Sequence, residues 1–222
     1  MGSSKIHSME YIFEEHRNGL ILVKNNENYI KDFNSILDAM DSITDEDIIE
    51  GFYKDKEKRK SIKSLSVTIN RLIKERLTQR KWNSETKIFK PSDYSNGAWK
   101  LDFSKGLICI EAAFNHGGDA AHNIMKTILS SEYNHVEKEY QSEIGVLITA
   151  TNELKIAGNY DGAIASIDKY KSYLKPYMAY ATSPLVFIGL KAPKSFFIDK
   201  DSREVVMINS KINPNLFNNS TD

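Results

Sequence analysis

A single cysteine in 222 residues, Cys109, excludes an internal disulfide and suits a reducing compartment, so a cytoplasmic protein is expected. No apolar run approaches the roughly 18 residues of a membrane-spanning helix, so no membrane partner is expected. Residues 1–5 have no apolar segment of the secretory type. The chain contains neither Gly-Lys-Ser/Thr nor Gly-x-Ser-x-Gly, which leaves ATPase and serine-hydrolase readings without support. His116, His122, His135 and Cys109 fall at spacings that match no common zinc pattern. Repeats, low-complexity tracts and Pro/Gly linkers are also missing. The expected organisation is one domain over residues 1–200 and a polar, Asn-rich tail over 201–222.

Net charge is absent as well: 30 Lys and Arg balance 30 Asp and Glu. Taken alone, that argues weakly against a nucleic-acid binder and mildly for a cytoplasmic domain that assembles with other proteins. The distribution says more. Residues 1–53 carry 4 basic and 11 acidic side chains, whereas residues 54–81 carry 11 basic and 3 acidic. A basic block is the footprint of a polyanion partner, unless residues 54–63 are simply a solvated helix or loop.

Apolar spacing predicts helices over residues 29–40 and 45–53, and another from Leu65 with the stripe Leu65, Ile69, Leu72, Ile73 and Leu77. Arg71, Lys74, Arg76 and Arg80 fall largely off that stripe, so the helix is expected to present a cationic face. After Trp82 the period changes. Residues 99–103 and 107–114 read as strands joined at Ser104-Lys105-Gly106. Gly117-Gly118-Asp119 opens a helix with Asp119 as its expected N-cap and Ile124, Met125, Ile128 and Leu129 as its buried stripe. Residues 144–150 form a continuous apolar run, expected to be a central strand. Gly158-Asn159-Tyr160-Asp161-Gly162 is a turn before a helix running to about Leu174, and residues 184–190 are a fourth strand. Alternating strands and helices predict an α/β fold with a central mixed β-sheet flanked by helices. Tyr170, Tyr173, Tyr177 and Tyr180 recur at helical spacing, as core or dimer packing would require.

The chemistry is concentrated at Asp102 and Glu111. A carboxylate inside an otherwise apolar strand is costly unless compensated, and a divalent cation is the usual compensation. Asp102, Glu111 and the Ala112 carbonyl could together supply oxygens to Mg²⁺. Periodicity alone does not bring the two acids together: with the turn placed at Ser104-Lys105-Gly106, Glu111 is expected near Ala98, about 13 Å from Asp102, unless the strands bend or bulge.

Asp102-Phe103, then Glu111, then Phe114 resemble the catalytic hairpin of the BglII/BstYI/BamHI-like restriction endonucleases, in the PD-(D/E)XK nuclease superfamily. Upstream, Asn70 to Leu77 with Trp82 resembles a helix of that group. Downstream, residues 144–148 and 184–190 resemble its later core strands, so the likeness spans about residues 60–190 in order. It implies a restriction-endonuclease-like fold and a type II enzyme that cleaves double-stranded DNA at a short palindromic site. It also implies Mg²⁺ as cofactor and a homodimer. By segment, it implies DNA contacts at Lys63, Ser64 and Asn70, at Asn115, His116, Asp119, His122 and Asn123, and at Asn159, Tyr160 and Asp161.

One position departs from the pattern. Two residues after the Glu the superfamily has Lys, Gln or Glu, a group that orients or deprotonates the attacking water. Here it is Ala113. Three readings stay open: metal activation of the water suffices, His116 substitutes as the base, or the protein binds specific DNA sequences without cutting them.

Overall fold

The computed structural model describes residues 7–90, 99–114, 117–133 and 136–208. The chain opens with β1 (Tyr11–His16), then α1 (Gly19–Asn25), α2 (Glu27–Asp41), α3 (Asp45–Lys58) and α4 (Ser66–Gln79). Next come β2 (Asn83–Lys87), β3 (Lys100–Lys105) and β4 (Ile108–Ala112). A 3-10 turn (Gly117–Asp119) leads into α5 (Ala120–Ser131), followed by β5 (Ile144–Ala150), α6 (Asn152–Ala157), α7 (Ile167–Tyr177) and β6 (Leu185–Leu190). A small hairpin of β7 (Phe196–Ile198) and β8 (Val205–Met207) closes the described chain. Ordered structure therefore runs past residue 200, where the polar tail was expected to begin.

Six strands form one mixed sheet in the order β1-β6-β5-β4-β3-β2. The three central strands, β4, β5 and β6, are parallel and buried along their whole length. Their continuous Ile/Val/Leu character follows from having both faces covered. Antiparallel partners flank them: β1 on β6, β3 on β4, and polar β2 at the edge.

One face is covered by α2, α3 and α4. The expected stripe Leu65, Ile69, Leu72, Ile73 and Leu77 is wholly buried there, with Phe33, Ile36 and Phe52. The other face is covered by α5 and α7, through Ile124, Ile128, Ile167, Tyr170 and Leu174. Gly145 sets how closely α5 approaches: a Cβ on it would lie 2.7 Å from Thr127 Cβ and 2.7 Å from Leu185 Cδ2.

Several expectations need correction. α3 is stabilised by a capping box, in which Thr44 Oγ1 accepts from the Asp47 N–H and Asp47 accepts from the Thr44 N–H, and it runs on to Lys58. Asp119 makes no side-chain capping hydrogen bond, because the 3-10 turn has already bent the chain into helical dihedrals there. Met125 is exposed rather than buried: the α5 stripe faces the sheet through Ile124 and Ile128, with Met125 turned away. The cationic face of α4 is largely spoken for. Arg71 pairs with Asp55 at 2.9 Å and Glu75 at 2.8 Å, Arg76 pairs with Asp47 at 3.1 Å, and Arg80 donates to the Asp38 carbonyl. The arginines of α4 are thus held by carboxylates of α3 and α4 and by a backbone carbonyl of α2.

Candidate active site

The β3–β4 hairpin turns at Gly106-Leu107, with Lys105 opposite Ile108, Ser104 opposite Cys109 and Phe103 opposite Ile110. Gly106 has φ +54°, a conformation that favours glycine. The turn therefore lies further along the chain than the Ser104-Lys105-Gly106 reading placed it, and the pairing shifts accordingly. One more step in this register sets Asp102 opposite Glu111, on the same face of the sheet. No bulge is needed.

Beyond Phe103–Ile110, side chains link the two strands. Asp102 Oδ2 accepts from the Ala112 N–H at 2.8 Å, and Glu111 Oε1 lies 3.4 Å from the Asp102 N–H. Each carboxylate is thus fixed by the other's strand. Glu111 is buried, and its carboxyl pKa is pushed up to about 8, first by burial and then by Asp102, with Lys126 opposing. Burial likewise raises Asp102 above the usual carboxylate range, against the pull of Lys126 and the Ala112 N–H; Glu85 raises it further and Lys74 lowers it. The Ala112 carbonyl accepts the Phe114 N–H at 3.2 Å, which leaves it one lone pair.

Two acids forced together in a low-dielectric setting, both held above their ordinary pKa, make a site in deficit of positive charge. That donor set fits a hard divalent cation, which takes carboxylate and carbonyl oxygens. Among the described residues no cluster of three or more His, Cys, Asp or Glu is arranged as a metal site; the oxygens brought together here are those of Asp102 and Glu111, with the Ala112 carbonyl beside them.

Lys126 is the resident the sequence reading missed. It reaches in from α5, where the residue is only 9% exposed, pairs with Glu111 Oε2 and donates to the Lys100 carbonyl at 3.1 Å. Glu85 and Lys74, both exposed, add to the local field. Ala113 lies with its methyl buried among Ala120, Ile124 and Tyr170, and its N–H donates to the Ile148 carbonyl at 2.7 Å.

The expected DNA-contacting residues divide. Lys63 and Asn70 are exposed, Ser64 is half-buried, and Asn159 Nδ2 donates to the Lys63 carbonyl at 3.0 Å. The 63–64 segment and the 159–161 turn are therefore neighbours, also joined by the Leu65 N–H on the Gly158 carbonyl at 2.9 Å. Asp161 is exposed and accepts the Ala163 N–H within its turn. Asp119 and His122 are exposed, with His122 stacked near Trp99 at a centroid distance of 5.2 Å. Two assignments fail on burial. Asn123 lies under the sheet and donates to the Tyr170 hydroxyl at 2.9 Å. Tyr160 is buried edge-on against Phe114, where its ring fills the core. Asn115 and His116 lie outside the described residues. Beside the 3-10 turn, a cleft of about 420 Å³ is lined by Gly117, Gly118, Lys155, Ser166 and Lys169, which gives this end of the sheet two cations over open backbone.

The family model for the BglII/BglIII restriction endonucleases matches residues 11–190, most of the chain and every strand of the large sheet. This chain belongs to the BglII family of restriction endonucleases. The fold agrees. The structure of restriction endonuclease BglII complexed with a DNA 16-mer superposes with a TM-score of 0.57 at 16% identity, covering 93% of this chain and 95% of that one. The structure of free BglII gives 0.43 at 12% identity, covering 85% and 81%. No curated protein sequence matches significantly. Family membership makes this BglII-type chain a type II restriction endonuclease, and the non-cleaving alternative raised by Ala113 is not favoured. No described helix of this endonuclease is long and apolar enough to cross a membrane.

Proposed function

We propose that this restriction endonuclease hydrolyses double-stranded DNA at a short palindromic site with Mg²⁺ held by Asp102, Glu111 and the Ala112 carbonyl. The observation that carries the reading is the register that sets buried Glu111 opposite half-buried Asp102, each tied to the opposite strand. When bound, the ion supplies positive charge to the scissile phosphate and to the water that attacks it. The chain's own residues do the rest. The Ala112 N–H fixes Asp102, and burial between the hairpin and α5 keeps bulk water from screening the pair. Lys63, Asn70, Asp119, His122 and Asp161 stand at exposed positions suited to the duplex, with half-buried Asn159 beside Lys63, and Lys155 and Lys169 line a cleft suited to a phosphate.

A palindrome presents two equivalent half-sites, so the working unit is a homodimer. An apolar patch on α5, the end of α7 and the turn after it supports this: Met125 and Tyr177 are partly exposed, Tyr180 is largely so, and all three line one cavity of about 130 Å³. A cytoplasmic location fits the buried free thiol of Cys109. The test is digestion of phage DNA with Mg²⁺ by wild type, Asp102→Asn and Glu111→Gln. Discrete fragments from the wild type alone, with mobility-shift binding kept in all three, support the assignment. Cutting by both variants ends it.

A further inference from the structure

Position 113 offers only a methyl group where the resembled enzymes carry a side chain that helps place the reacting water, yet the site contains a cation. Glu111 and Ala113, two apart on an extended chain, present side chains to the same face, and α5 covers that face. Ala113 is small, and it shares one buried cluster with Ala120 and Ile124 of α5. Two residues past Ile124, Lys126 reaches into the same buried site and pairs with Glu111. An ammonium has three donors. One goes to Glu111 Oε2 and one to the Lys100 carbonyl at 3.1 Å; the third has no partner among the described residues. Desolvating an ammonium is expensive, and such a pair rarely improves stability over apolar packing. Its fixed charge is of use where a polyanion is to be received.

We propose that Lys126 is a catalytic residue that supplies from α5 the cation missing at position 113: it holds the Glu111 carboxylate beside Asp102 and presents its remaining N–H to the scissile phosphate. The proposal rests on the reading of Asp102 and Glu111 as the metal-holding pair, and its test separates the two.

Lys126→Met removes the charge and keeps the length. Lys126→Cys, treated with bromoethylamine, regains an ammonium at nearly the lysine position, while the other thiol, Cys109, is buried. Wild type, both Lys126 variants, Asp102→Asn and Glu111→Gln are compared on a plasmid that the wild type cuts. The measurements are single-turnover cleavage in Mg²⁺, duplex affinity in Ca²⁺, calorimetric Mn²⁺ binding without DNA, and thermal melting. Lys126→Met is expected to cut about 100-fold more slowly. Its duplex affinity and Mn²⁺ affinity should stay within about threefold of wild type. Aminoethylation of Lys126→Cys should restore at least about a tenth of the rate. Lys126→Met cutting within about threefold of wild type overturns the proposal. So does a variant that loses fold or duplex affinity in step with cleavage, or an aminoethylated protein no faster than its untreated parent. If Asp102→Asn and Glu111→Gln still cut, the metal-site reading itself has failed, whatever Lys126 does.

Discussion

Replacing Glu111 with Gln should remove a pH-dependent weakness from the metal-free fold. The Glu111 carboxyl rises from an ordinary 4.5 to about 8, because burial and the neighbouring Asp102 both disfavour its charge. Between those two values the folded chain holds a proton that the unfolded chain has released. Stability therefore falls as pH climbs through the window and levels off above about 8. At about 1.4 kcal/mol per unit, the full window gives a ceiling of roughly 5 kcal/mol. Lys126 reorienting and water entering as the carboxylate ionises cut that to about 2–3 kcal/mol, or roughly 5–10 °C in Tm for a domain of this size. Asp102 is shifted in the same direction, chiefly by burial, and that contribution is common to both proteins. The assay is thermal melting of wild type and Glu111→Gln in chelator from pH 5 to 8.5. Gln keeps the shape and cannot ionise, so the difference between the curves isolates the carboxyl group. Glu111→Gln should gain on wild type as pH rises. Parallel curves, or a wild type that gains on the variant, would refute the reasoning.

Metal binding should show the same linkage from the other side. Mn²⁺ affinity should increase with pH up to about 8, by at most about tenfold per unit. Calorimetry at pH 7 in buffers of different ionisation enthalpy should then report release of close to one proton; zero release would contradict a protonated Glu111. Gly145→Ala should destabilise by about 1–3 kcal/mol in urea unfolding, since its Cβ would meet Thr127 and Leu185 at 2.7 Å and push α5 off the sheet. Because α5 carries Lys126, the same variant should slow cleavage; a normal rate would show that the helix position does not matter to the site. Asp55→Asn should cost about 3 kcal/mol in the same unfolding assay, because Asp55 is buried and holds both Arg71 and the Thr68 hydroxyl. A loss below about 0.5 kcal/mol would show that the pair is no better than a surface one.

Much of the fold was legible because its signals are local. The stripe from Leu65 to Leu77 fixes α4 by period alone, and the unbroken apolar runs of β5 and β6 mark strands covered on both faces. Charge was less legible because its meaning is set by neighbours. Arg71 and Arg76 read as a surface offered to a polyanion until Asp55 and Asp47 of the adjacent helix are seen to hold them. Segregation of charge along a chain is a statement about sequence distance, and helix packing can place an acid of one helix on an arginine of the next, as Asp47 does on Arg76. Zero net charge therefore says little here about DNA. What matters is which cations remain free after this pairing, and Lys155 and Lys169 at the cleft are better candidates than the arginines of α4.

The site itself was half visible. Asp102 and Glu111 stood out as acids in apolar strands, but their meeting depended on register, and register on which two residues make the turn. Moving the turn from Ser104-Lys105-Gly106 to Gly106-Leu107 changes the residue facing Glu111 from the neighbourhood of Ala98 to Asp102. A one-residue error in a turn also exchanges the faces of a strand, so a carboxylate pair can be gained or lost without any change in composition. Lys126 gave a weaker signal still. It sits among α5 residues such as Ala120, Ile124 and Ile128 that face the sheet, and a lysine on the buried side of an amphipathic helix is the anomaly that could have been read. Such a lysine needs a buried anion as partner, and Glu111 was the carboxylate set inside an apolar strand. Matching those two unexplained charges would have found the contact before any coordinates did.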